Sequence, residues 1–163
     1  MESSESANRI ARNGGMNGRR PHFLLFSDAH RHPIQRRREC GRWRFRLESL
    51  DGKSRLEAAD TEPFVGNRLH LLSVVRGLEA LDQPTRVTLV TRSRYVSRGF
   101  RFGLDAWREN DWTWERFGTR APVKHEDLWR RVDHALEYHE VECRWWRWDP
   151  PAGQPSPGGG EPI

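Results

Sequence analysis

Hydrophobic spacing along the chain changes from two to about 3.6 and back, and those changes divide it into elements. His22-Phe-Leu-Leu-Phe-Ser-Asp28 is a short apolar run ending in an acid, as in a buried strand. Residues 29–39 are polar and very basic, with Arg36, Arg37 and Arg38 adjacent, and read as a loop. From Cys40 to Ser49, Trp43, Phe45 and Leu47 alternate with Arg42, Arg44 and Arg46. That alternation predicts a strand with one face in the core and one basic face in water. Asp51-Gly52 is a two-residue hairpin signal, and Lys53 to Thr61 returns as the next strand.

After Gly66 the spacing becomes helical. Leu71, Leu72, Val75, Leu78 and Leu81 share one face, and Asp82 to Pro84 stop the helix. Arg86 to Thr91 is a short β-branched strand. Ser93 to Phe102 predicts a helix ending near Gly103, and Leu104 to Asn110 another, followed by a Trp-rich segment at 111–121. Pro122 to Tyr138 predicts a helix with Leu128, Trp129, Val132, Ala135 and Leu136 inward, started by a proline whose missing N–H is not needed there. Val141 to Trp148 closes the series as a strand. The order β-β-β-α-β-α-α-α-β implies an α/β fold with a mixed five-stranded sheet and helices on its faces.

The ends lack that patterning. Residues 1–20 have few large apolar side chains, and 149–163 are mostly Pro and Gly. Both are expected to be disordered, which leaves one domain at 21–148. No apolar run has the length of a signal peptide or a bilayer span, so no membrane association is expected. Cys40 and Cys143 lack zinc-ligand spacing and read as buried thiols in a reducing cytoplasm. A cytoplasmic monomer is expected. A net charge of +5 favours an anionic partner. Eight Trp, most of them beside Arg in the last third, serve either as packing or as stacking surfaces for a base or sugar.

Three stretches carry a family pattern. Val65-Gly-Asn67-Arg68-Leu69-His70-Leu71-Leu72 is similar to a TNNRMEL helix start. Thr91-Arg92-Ser93-Arg94-Tyr95-Val96 is similar to a strand followed by T-D-S-x-Y-V, and Pro122-Val123-Lys124-His125-Glu126-Asp127-Leu128-Trp129 to PVKNxDLW. Together they resemble the ribonuclease H type 1 family over roughly residues 22–148. The resemblance implies cleavage of the RNA strand of RNA/DNA hybrids by two Mg²⁺ held by Asp, Glu, Asp and a late Asp, with a mobile His nearby. Matched position by position, the first Asp is Asp28, the Glu position is His70 and the second Asp position is Arg92. Asp149-Pro150-Pro151 and the tail replace the segment with the last Asp. One acid in four remains.

Mg²⁺ needs accumulated carboxylate charge. At an effective dielectric of about 20, a guanidinium about 4 Å from a divalent ion is repelled by roughly 8 kcal/mol. The ordinary two-metal route is therefore not expected. Two other roles suit these residues. Asp28, His30 and His70, with His32 nearby, have donor types suited to a transition metal. The favoured reading is that Arg92 pairs with Asp28 and replaces the metal by a salt bridge.

The substrate-contacting positions implied by the resemblance are better kept. Asn67 and Arg68 sit where the family reads hybrid edges and sugars, and Asn67 serves equally as a helix cap. Trp112, Trp114, Arg116, Arg120 and Lys124 form the basic aromatic handle, with packing the competing role for Trp112 and Trp129. Three functions follow. The first is a catalytically inactive binder of RNA/DNA hybrid or double-stranded RNA, with no cofactor. The second is an Mg²⁺-dependent ribonuclease H whose rebuilt site takes acids such as Asp149, Glu48 or Asp60. The third is a protein-interaction scaffold.

Overall fold

The computed structural model describes residues 19–31 and 40–147. Arg36 to Arg38, His32, Trp148, Asp149, the tail and most of the first twenty residues, for which expectations were stated above, lie outside them. The alternating segments form strands β1 (His22–Arg31), β2 (Gly41–Ser49) and β3 (Arg55–Glu62). Helix α1 (Asn67–Glu79) and strand β4 (Arg86–Thr91) follow. Next come helix α2 (Arg94–Arg98), a π-helical turn (Gly99–Gly103) and helix α3 (Leu104–Glu109), a continuous helical run where two separate helices were expected. Strands β5 (Thr113–Arg116) and β6 (Thr119–Pro122), helix α4 (Glu126–Leu136) and strand β7 (Glu140–Trp145) complete the order.

The main sheet has five strands in the order β3-β2-β1-β4-β7. β1 pairs antiparallel with β2 and parallel with β4, so the sheet is mixed as expected. Register divides it into two faces. Leu25 lies opposite Leu47, Ser27 opposite Phe45 and Ala29 opposite Trp43, and across β1 and β4 Leu25 is level with Leu89. This face holds the core. Leu69, Leu72, Val75 and Leu78 of α1 pack on it with Val96, Leu128, Trp129 and Val132. Gly77 lets α1 sit close to Leu25, and Ser73 Oγ donates to the Arg44 carbonyl at 2.6 Å.

The other face carries Leu24, Phe26 and Asp28 of β1, Arg42, Arg44 and Arg46 of β2, and Val90 of β4. None of its apolar side chains joins the core. The core-forming helices thus occupy one face of the sheet. Periodicity identifies an amphipathic helix but not the face it covers.

Two expectations near the Trp-rich segment are corrected. Residues 113–122 form a hairpin, with Thr113 opposite Pro122 and Arg116 opposite Thr119. Phe117 (φ 52°) and Gly118 (φ 76°) make its two-residue turn, a geometry that requires two left-handed residues. Pro122 therefore ends β6 and does not start the helix, which begins at Glu126 after left-handed His125.

Candidate functional site

Four positions line up across the open face. Asp28 lies opposite Arg44, and Ser27 is level with Thr91, which is level with Trp145. The Trp146 N–H donates to the Thr91 carbonyl at 2.8 Å, so the pairing continues past the strand ends. The row therefore reads Arg44, Asp28, Arg92, Trp146, with neighbouring strands about 4.8 Å apart.

The side chains in this row do not pair as expected. Asp28 Oδ2 is 3.5 Å from Arg44 Nη2, and its Oδ1 accepts from the Ala29 N–H at 3.0 Å. Arg92 turns the other way and lies over the Trp146 ring, 5.3 Å from its centroid. No carboxylate pairs with Arg92 among the described residues. The expected Arg92–Asp28 salt bridge is thus replaced by Arg44–Asp28, because β2 presents a guanidinium directly opposite Asp28. Sequence spacing does not reveal a cross-strand partner.

His70 comes from α1 and is half-buried. Burial lowers its pKa below the ordinary 6.5, and the nearby Asp28 charge opposes that shift. The imidazole is therefore mainly neutral at pH 7. Asp28, His30 and His70 do not form a metal cluster: among the described residues no three His, Cys, Asp or Glu side chains come close enough to hold an ion. Glu48 pairs with Arg46 and is level with Leu24, about 13 Å along β1 from Asp28. Asp60 is level with Trp43 and so lies on the opposite face. Neither rebuilds the site.

The row borders a concavity of about 200 Å³. Its charged lining is Arg44, Arg46 and Arg92 against Asp28 and Glu57. Two Mg²⁺ do not fit this donor set. The single carboxylate at a mapped metal position is already beside a guanidinium, and the surplus charge is positive.

The other expected contacts divide into structural and free residues. Arg68 donates to both Asp127 carboxylate oxygens, at 2.9 and 2.6 Å, joining the start of α1 to the start of α4. It ties these two helix starts together, a structural role beside the expected contact role. Trp112 is corrected: it is buried in the core, tilted against Trp107 with centroids 6.3 Å apart. Asn67 is exposed in the first turn of α1, whose cap is Gly66, so its amide is not the cap. Lys124 is exposed, and its carbonyl accepts from Tyr95 Oη at 3.2 Å. The Arg68–Asp127 pair thus ties the helix start that carries Asn67 to the helix start that follows Lys124.

On the hairpin, Trp114, Arg116 and Arg120 are exposed. Arg116 lies over both Trp114 and Phe117, at 5.9 and 5.6 Å. Phe117, 95% exposed at the tip, is a candidate that sequence reasoning missed. The signal was Phe117-Gly118 between Arg116 and Thr119, a two-residue turn with no other reason to be aromatic. Trp145 was missed too. It is exposed beside Arg94 at 6.0 Å and donates to the Arg92 carbonyl.

The RNase H family model matches residues 23–147. The chain belongs to the RNase H family. This RNase H relative is similar to a ribonuclease H of Rhodospirillum rubrum, 41% identical over 107 residues. The match covers 66% of this chain and 62% of that protein, so the chain spans less than two thirds of its length. Among solved structures it superposes on LC9-RNase H1, a type 1 RNase H with the type 2 active-site motif, at a TM-score of 0.66 and 24% identity. That likeness covers 80% of this chain and 65% of the other. The foamy viral protease-reverse transcriptase in complex with dsDNA gives a TM-score of 0.59 at 17% identity, over 76% of this chain and 80% of that one. Both structural likenesses concern the fold.

Proposed function

We propose that this RNase H relative grips an RNA/DNA hybrid or double-stranded RNA and does not cut it by the two-metal route. The observation carrying the proposal is the row Arg44, Asp28, Arg92, Trp146, in which guanidiniums flank the one remaining acid. Such a centre repels a divalent cation and attracts a phosphate. The exposed hairpin supports the same reading, since Trp114, Arg116, Phe117 and Arg120 combine stacking area with phosphate-seeking charge. The foamy viral structure was determined with dsDNA bound, so a protein of this fold holds a nucleic-acid duplex.

The test is an electrophoretic mobility shift with labelled hybrid, double-stranded RNA and double-stranded DNA, in EDTA and across salt. Binding to hybrid or double-stranded RNA should fall linearly in log-log salt, with a slope of about −0.9 per phosphate neutralised. Arg116→Ala with Lys124→Ala should lower that slope by about two. Undiminished binding in the double variant, or no binding to either duplex at low salt, would leave the protein-interaction scaffold as the better reading.

A further inference from the structure

The concavity beside Asp28 has donor capacity that the protein does not use. Arg46 lies over Phe26 at 4.6 Å, and its Nε is buried with no hydrogen-bond partner; Glu48 is 3.7 Å away. Arg44 is ion-paired with Asp28 at 3.5 Å without a hydrogen bond between them. Arg92, with no acid partner among the described residues, lies over the Trp146 ring, 5.3 Å from its centroid. Stacking holds a guanidinium by its face and leaves its in-plane N–H groups available. Arg46 and Arg92, each over an aromatic ring, line one hollow with Arg44 against Asp28 and Glu57, and the surplus guanidinium charge matches a group with several anionic oxygens. The surplus positive charge disfavours a divalent cation there, and a neutral ligand leaves Arg92 without an acid partner among the described residues.

We propose that this hollow is a phosphate-binding pocket, in which Arg92, Arg46 and Arg44 take a phosphoryl oxyanion directly and Trp146 fixes Arg92. The pocket deepens the nucleic-acid reading and rests on it for the source of the phosphate. That source is either a backbone phosphodiester or a phosphate monoester at a strand end. The protein supplies positive charge at the place where the family resemblance implies metal ions.

Inorganic phosphate titrated into the full chain is the direct probe, read by NMR at the Trp146 indole N–H and the arginine Nε–H signals. Saturable shifts at Trp146, Arg46 and Arg92 are expected, with affinity about tenfold weaker in Arg92→Ala. Arg94→Ala is the control. It removes the same charge from a side chain stacked on Trp145, outside the pocket lining, and should change the affinity less than twofold. Arg92→Lys, which keeps the charge but not the fork, should fall between wild type and Arg92→Ala. Equal losses in Arg92→Ala and Arg94→Ala, or shifts that do not saturate, would overturn the pocket.

The same variants are then tested on hybrids with and without a 5′-phosphate. A loss confined to the phosphorylated hybrid supports the monoester source, and an equal loss on both supports the phosphodiester. If inorganic phosphate binds as described but no duplex does, the pocket stands and the nucleic-acid reading fails. If duplexes bind but neither phosphate nor Arg92→Ala has any effect, the pocket is overturned and the nucleic-acid reading stands.

Discussion

Removing one oxygen from Tyr95 tests how two of the family motifs are joined. Trp129 is fully buried among Tyr95, Phe100 and Trp107, and its Nε1 donates to Tyr95 Oη at 2.8 Å. That hydroxyl in turn donates to the Lys124 carbonyl at 3.2 Å. Tyr95→Phe leaves the indole N–H buried without a partner, which costs about 1–3 kcal/mol. The Lys124 carbonyl borders water, so its loss adds at most about 1 kcal/mol. The expected destabilisation is therefore about 2 kcal/mol. In urea unfolding this appears as a midpoint lowered by roughly 1 M with an unchanged slope. In a Trp129→Phe background the buried donor is already gone, so Tyr95→Phe should then cost about 1 kcal/mol or less. A cost below about 0.5 kcal/mol in the wild type, or the same cost in both backgrounds, would refute the relay.

Three further outcomes follow from the same structure. Phe117→Ala should leave unfolding free energy within about 0.5 kcal/mol and weaken hybrid binding by about 1–3 kcal/mol, the worth of one stacked base. A lower melting temperature with unchanged binding would contradict this. Burial holds His70, His125 and His139 below the ordinary 6.5. The unfolded chain therefore binds more protons below that pH, so stability should be level above about 6.5 and fall as the pH drops through the lowered values. Unfolding free energies at pH 7.5 and 5.5 check the sign, and equal or higher stability at pH 5.5 would refute it. Burial pushes the Cys143 thiol up to about 12, so iodoacetamide at pH 8 should label it only in denaturant, as read by peptide mapping.

What was legible in the sequence depended on how far apart the cooperating residues lie. Alternation around Trp43, Phe45 and Leu47 showed both the strand and its basic face, because side-chain direction reverses at every residue. The short strand Arg86–Thr91 was legible for the same local reason. Arg44 as the partner of Asp28 was not, since cross-strand register is set by the whole sheet and Arg92 was the only cation visible at a mapped position. The pairing of Arg68 was not legible, because its partner Asp127 is 59 positions away. The hairpin at 113–122 was hidden by its four-residue strands, whose Trp114 and flanking arginines read as a handle without regular structure. Phe117 required the turn geometry before its exposure had meaning.

Single-turnover incubation of excess protein with a labelled RNA/DNA hybrid, in Mg²⁺ or Mn²⁺, tests the central claim most directly. Full retention of the hybrid in the complex is expected, with no cleavage of the RNA strand above the EDTA control. Metal-dependent cleavage that is abolished by Asp28→Asn would contradict it, because Asp28 would then be holding a metal in spite of Arg44 and Arg92.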